Sequence, residues 1–248
     1  MKRGSQMQNR LWSICVVGAL ALSLAACGSD APESSPGEAS TAERSVTNDS
    51  ELPEVPVMGP EKRILAFGNS LFAGYNVAPE DSYPSKLQRA LRAQGINAQV
   101  YNAGVSGDTT AAGLQRLAFA LDEQETKPDL AIIELGGNDL LRGLSPQQSR
   151  ENLAAMIEEL QSRDIEVLLM GMRAPPNYGP EFQSAFDGMY GELAEQYSVD
   201  LYPFFLEAIY QEPSLFQSDR IHPTEDGIER LVEATLETVS AALPQDRE

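Results

Sequence analysis

Cysteine is nearly absent from this chain: two residues in 248, Cys15 and Cys27, are too few for a disulfide scaffold. Histidine is scarcer still, with His222 alone. One histidine and no cysteine beyond Cys27 leave only hard oxygen ligands, so the sequence implies no bound metal and no other cofactor. Positive charge is also short. The 18 Lys plus Arg face 37 Asp plus Glu, and a formal charge of −19 repels phosphate backbones instead of releasing their counterions, which excludes nucleic acid as a partner. No internal repeat, no G-x-S-x-G nucleophile elbow and no sign of an obligate protein partner is present. What remains is ordinary: an apolar fraction of 42% suits a packed core, and the length fits one domain of about 150 to 200 residues with appendages.

The appendages are N-terminal. Lys2, Arg3 and Arg10 precede an apolar run from Leu11 to Ala26, which is the layout of a bacterial secretory signal and is short for a membrane span. The run closes as Leu24-Ala25-Ala26-Cys27, which resembles the lipobox of bacterial lipoproteins. That resemblance implies a signal peptide over 1–26 and lipidation of Cys27; the alternative is a plain signal cut nearby that leaves Cys27 a free thiol. Residues 28–60 have no apolar periodicity, are rich in Ser, Pro, Glu and Ala, and carry seven acids against Arg44, so 27–60 is expected to be a disordered tether. The expected location is the bacterial cell envelope, facing the periplasm. Gly28 after Cys27 points toward the outer membrane.

From 61 to 248 the pattern alternates. Ile64-Leu65-Ala66-Phe67 is a short apolar run that stops at Gly68, as a buried parallel strand would. Asp81, Ser82 and Pro84 open a helix with Leu87, Ala90 and Leu91 on one face; Val100 and Tyr101 mark a second strand. Leu114, Leu117, Ala118 and Leu121 form a helix face behind Asp108 and Thr109, and Leu130 to Leu135 is the clearest strand. Ser145-Pro146-Gln147-Gln148 predicts a capped helix start, Val167 to Met170 and Val199 to Tyr202 further strands, and 182–197 and the segment after Pro223 further helices. Strand–helix alternation of this kind predicts an α/β domain: a flavodoxin-like three-layer sandwich on a mostly parallel five-stranded sheet.

In such sheets ligands bind beyond the carboxyl ends of the strands. The polar loops after the first three strands are Gly68-Asn69-Ser70-Leu71, Gly104-Val105-Ser106-Gly107-Asp108 and Gly136-Gly137-Asn138-Asp139, and strand order 2-1-3-4-5 brings them together around Ser70. A serine hydroxyl becomes a nucleophile when an imidazole takes its proton and a carboxylate fixes that imidazole's tautomer. His222 is the one imidazole on offer, and Asp219 stands three residues before it. On position alone, a lone histidine before Pro223 reads more readily as a surface cap, and Asp219 with the loops brings the two readings level.

Together these blocks resemble the SGNH or GDSL hydrolases, particularly the bacterial thioesterase, arylesterase and lysophospholipase branch. The likeness spans Arg63 to Leu243 and includes Gly68-Asn69-Ser70-Leu71, Gly104, Gly136-Gly137-Asn138-Asp139, and Asp219 to His222 as the D-x-x-H block. It implies the SGNH hydrolase fold, Ser70 as nucleophile, His222 as general base and then acid, and Asp219 as the orienting carboxylate. It also implies an oxyanion hole from the backbone N–H groups of Ser70 and Gly104 and the Asn138 side chain, with Pro176, Asn177 and Tyr178 in a substrate-side loop. Asn69 departs from the family's usual Asp, so an anionic role at that position is excluded. Asp139 fits either a supporting partner or a loop cap, and Gly107-Asp108-Thr109-Thr110 a helix start.

The expected activity is therefore serine ester hydrolysis of aryl or alkyl esters, lysophospholipids or acyl thioesters, with a small-molecule or lipid ester as partner and the membrane reached through Cys27. The alternatives are an O-acetyl esterase of envelope carbohydrates and a non-catalytic lipoprotein that binds lipid or glycan.

Overall fold

A computed structural model describes residues 57–245; the expected signal peptide (1–26), Cys27 and residues 27–56 of the expected tether lie outside the described residues. Five strands, β1 (Lys62–Gly68), β2 (Ala98–Gly104), β3 (Leu130–Glu134), β4 (Glu166–Met170) and β5 (Asp200–Tyr202), form one parallel sheet in the order β2-β1-β3-β4-β5. This is the doubly wound order expected from the sequence.

The central strands are apolar at nearly every position because both faces are covered. Ile64 to Phe67 in β1 and Leu130 to Ile133 in β3 are all buried. Helices α2 (Tyr83–Ala93) and α7 (Glu225–Ala242) pack together, while α5 (Pro146–Ser162) packs between α3 (Thr110–Asp122) and α6 (Pro180–Tyr197). Buried Leu87 and Leu91 of α2 are periodic residues that the sequence marks, and α7 buries Ile228, Leu231, Val232 and Val239 on one face.

Two single-turn helices, α1 (Ser70–Ala73) and α4 (Gly137–Leu141), stand where the sequence predicts only loops. Neither is long enough to show a 3.6-residue period. Pro146 does open α5, but the Ser145 side chain makes no capping bond, so the expected capping box is not formed. Thr109 and Thr224 do cap α3 and α7, accepting from the N–H groups of Ala112 and Gly227.

Register positions the functional end. Gly68 pairs with Gly104 on one side and with Glu134 on the other, so β1, β2 and β3 end level. The loops that follow them therefore open onto one edge of the sheet, at the point where the connections out of β1 and β3 leave in opposite directions.

Candidate active site

Ser70 starts α1 directly beyond β1, and the turn before α7 brings His222 to it across 152 residues of sequence: His222 Nε2 lies 2.8 Å from Ser70 Oγ. His222 Nδ1 lies 2.7 Å from Asp219 Oδ2. A carboxylate at Nδ1 keeps the proton there, which leaves Nε2 as the acceptor for the serine hydroxyl. The other Asp219 oxygen accepts the backbone N–H groups of Ile221 and His222 at 2.9 and 3.0 Å, closing the turn on itself. The His222 hydrogen bond and then the Ile221 N–H hold the Asp219 carboxyl down at about 2, so it stays ionised beside the imidazole. Tyr75 stacks on the imidazole at 4.2 Å between centroids. Gln217 ties the two segments, donating from its amide to the carbonyls of Tyr75 and Pro223.

Beneath Ser70 the support is buried. Asn69 caps α1 by accepting the Leu71 N–H at 2.9 Å and donates through Nδ2 to Glu134 Oε1 at 3.1 Å. A neutral amide does both at once. An ionised aspartate in its place would keep the cap but have no N–H to donate to Glu134. Glu134 is fully buried, and burial pushes its carboxyl up to about 8 although the backbone and side-chain N–H groups of Asn69 pull it down. The sequence reading assigns Glu134 no role; its signal was an acid closing an otherwise apolar strand.

The oxyanion donors need one correction. The Gly104 N–H is taken by Asn102 Oδ1 at 2.9 Å, and its missing side chain makes room for the backbone of Phe72 and Ala73, where a Cβ would collide. Gly104 is thus a packing residue beneath α1 and does not line the cleft. Gly107, three residues on, does line it, at φ +88°, and its N–H makes no hydrogen bond among the described residues. The Ser70 N–H is free in the same sense, as the first turn of a helix leaves it. Asn138 Nδ2 donates to the Asp108 carbonyl at 2.9 Å, which fixes the amide plane and leaves its second N–H available.

Around these loops other polar residues act as braces. Asp139 is buried and accepts from Thr110 N (2.8 Å), Thr110 Oγ1 (2.6 Å) and Ser149 Oγ (2.9 Å), joining α4 to α3 and α5; it is a clamp, and it does not reach the cleft. Asp108 pairs with Arg116, which also donates to the Gly68 carbonyl at 3.0 Å. The expected substrate loop is corrected too. Pro176, Asn177 and Tyr178 form a 3-10 turn outside the cleft lining, and the Tyr178 hydroxyl donates to the Leu140 carbonyl at 2.7 Å, bracing α4 from behind. Met172, Arg173 and Pro175, just before that turn, line the cleft instead.

The cleft holds about 520 Å³ and is walled largely by apolar side chains, among them Leu140, Met172, Phe204, Leu206 and Phe216. A space of that size and character takes an alkyl or aryl group far larger than acetyl. The site thus joins a proton-relay-ready hydroxyl, free N–H donors and an apolar trough.

Comparison with known proteins gives the same picture. The model of the GDSL-like Lipase/Acylhydrolase family matches residues 66–230. "Esterase TesA" of Pseudomonas aeruginosa is 41% identical over 180 residues, covering 73% of this chain and 89% of that protein. "Thioesterase 1/protease 1/lysophospholipase L1" of Escherichia coli is 39% identical over 163 residues, covering 66% of this chain and 76% of that protein. The crystal structure of AlinE4, an SGNH-hydrolase family esterase, is similar with a TM-score of 0.64 at 61% identity, covering 76% of this chain and 100% of that one.

Proposed function

The chain belongs to the GDSL-like lipase/acylhydrolase family and is a hydrolase of carboxylic esters, and from that premise we propose that Ser70 is its nucleophile, His222 its general base and acid, and Asp219 the carboxylate that holds the imidazole. The observation that carries this reading is the unbroken line of contacts from Asp219 through His222 to Ser70 at the mouth of an apolar cleft.

Ser70 Oγ attacks the ester carbonyl while His222 Nε2 takes its proton. The carbonyl oxygen, now an oxyanion, receives the N–H groups of Ser70 and Gly107 and the free amide N–H of Asn138. The tetrahedral species collapses, the C–O bond to the alcohol breaks, and His222 returns the proton to that leaving oxygen. Water then attacks the acyl-serine with His222 again as base, and the acid and free Ser70 are released. The apolar cleft favours medium or longer acyl chains over acetate, so among ester classes single-chain lipid esters, lysophospholipids and aryl or alkyl esters fit better than acetylated sugars; acyl thioesters are chemically open to the same steps. A Leu24-Ala25-Ala26-Cys27 lipobox further supports a lipid anchor at Cys27 and a place on the periplasmic side of the envelope.

Hydrolysis of p-nitrophenyl esters from acetyl to palmitoyl, beside Ser70→Ala, tests the catalytic reading. A medium-chain maximum that vanishes in the variant is expected; undiminished turnover by Ser70→Ala overturns it. The anchor is tested by labelling cells with a fatty-acid analogue. Cys27→Ser should lose the label, and a wild-type protein that takes up none refutes the anchor.

A further inference from the structure

The cleft runs against the charge of the molecule. In a chain with 37 Asp plus Glu, no acid among the described residues lines it; the charged residues that do are Arg173 and Arg220, beside His222. Arg173 is engaged, with its guanidinium 3.0 Å from Glu207 and over the Phe204 ring. Arg220 is not: its side chain has no hydrogen-bond or ion-pair partner among the described residues. The neighbouring Asp219 carboxylate is spent on His222 and on the N–H groups of Ile221 and His222.

Arg220 also occupies an unfavourable backbone conformation. Its φ is +59°, in the left-handed region that costs a residue with a Cβ and suits glycine. The turn needs that conformation, because Asp219 must fold back over residues 221 and 222 while the Arg220 N–H closes on the Gln217 carbonyl at 2.9 Å. Nothing in the turn needs an arginine there. A strained conformer bearing an unpaired cation on the rim of a reaction cleft points to the ligand.

The proton path says which part of the ligand. His222 must hand its proton to the departing oxygen, so the alcohol half of the ester lies on the His222 side of Ser70, opposite the Gly107 and Asn138 donors. Arg220 lines the same cleft and stands two residues before His222 in the same turn. We propose that Arg220 is an anion subsite for the alcohol portion of the substrate, selecting esters whose alcohol carries a phosphate. A guanidinium is suited to this: its planar fork donates to two phosphate oxygens at once. With a net charge of −19 the molecule as a whole repels an anionic ester, and a local unpaired cation in an acid-free cleft offsets that repulsion where the chemistry occurs.

This inference rests on the esterase reading and is separable from it. The probes are 1-decanoyl-lysophosphatidic acid and 1-decanoylglycerol, which share an acyl chain and ester bond and differ in the phosphate, both used below their aggregation concentrations with the full chain. Wild type should favour the phosphate ester in kcat/KM, and that preference should shrink as salt rises. Arg220→Gln and Arg220→Gly should each cut the ratio of the two kcat/KM values by about tenfold, chiefly through KM, and Arg220→Lys should retain part of it. The glycine variant relieves the backbone, so it folds even if the glutamine variant does not. Equal turnover of both probes by wild type, or a ratio unchanged in both variants, overturns the subsite and leaves the esterase standing. No Ser70-dependent turnover of either probe overturns the esterase reading and the subsite with it.

Discussion

The two walls of the cleft are built in opposite ways. The Ser70 wall is held from below by groups shut away from water: Asn69, Glu134 and Asp139 are each no more than 2% exposed, and they tie β1, β3, α3 and α5 together. The His222 wall is an exposed turn whose bonds run mostly within residues 217–222, with Gln217 as the link across. Buried polar networks carry large penalties when one partner is lost, whereas exposed turns exchange their bonds with water at little cost. Damage to the first wall should therefore appear in stability, and damage to the second in rate alone.

His222→Ala is the sharpest cut at the exposed wall. It should lower kcat by about 10⁴-fold or more, since a nucleophile and its base act as a unit, while moving Tm by no more than about 2 °C; stopped assays and thermal melts on one preparation test both. Next, Asn138→Ala removes a donor between the walls and should cost about 100- to 1,000-fold in kcat with little change in KM. Gly104→Ala offers the contrast, because its expected effect is a lower Tm from the clash with α1, with no selective loss of transition-state binding.

At the buried wall, Asp139→Ala leaves the Thr110 N–H and hydroxyl without their acceptor, and Ser149 Oγ with only the Ser145 carbonyl at 3.3 Å. It should cost about 2 to 3 kcal/mol, read as a fall in Tm of about 5 to 10 °C, with kcat of the surviving folded protein falling much less than for His222→Ala. The remaining effect is a change of slope. Glu134 in the folded protein titrates near 8 against 4.5 ordinarily, so the folded state holds its proton more tightly than the unfolded chain does. Its contribution is intact below about pH 4.5 and is lost as the pH rises toward about 8. Glu134→Gln should flatten the Tm-against-pH curve over that window, and an unchanged slope would show that Glu134 does not govern it.

The same contrast explains what the sequence discloses. Strand positions, helix faces and sheet order are legible because a doubly wound sheet buries both faces of its central strands and one stripe of each helix, which leaves regular marks. The Asp219, His222 and Ser70 contacts are legible because serine chemistry demands those residue types and the level strand ends supply the meeting place. The donors were harder. Gly104 ends β2 and Gly107 lies in the loop just beyond it, and which N–H faces the cleft depends on the backbone torsions between them and on Asn102, whose side chain occupies the nearer one. Tyr178 falls in a turn that any reading places on the surface, yet its hydroxyl reaches α4, a contact between distant segments that local pattern does not encode.

Ser70 and His222 are 152 residues apart and meet through a 2.8 Å contact, with the second of them in the turn leading into the final helix. The chain must close that long loop, against an entropy cost that grows with its length, before the hydroxyl has a base. With the roles proposed for Ser70 and His222, turnover is a clock for refolding: it starts when the two ends of the domain find each other, and it stays silent for every partly folded form in which the sheet has paired but α7 has not docked.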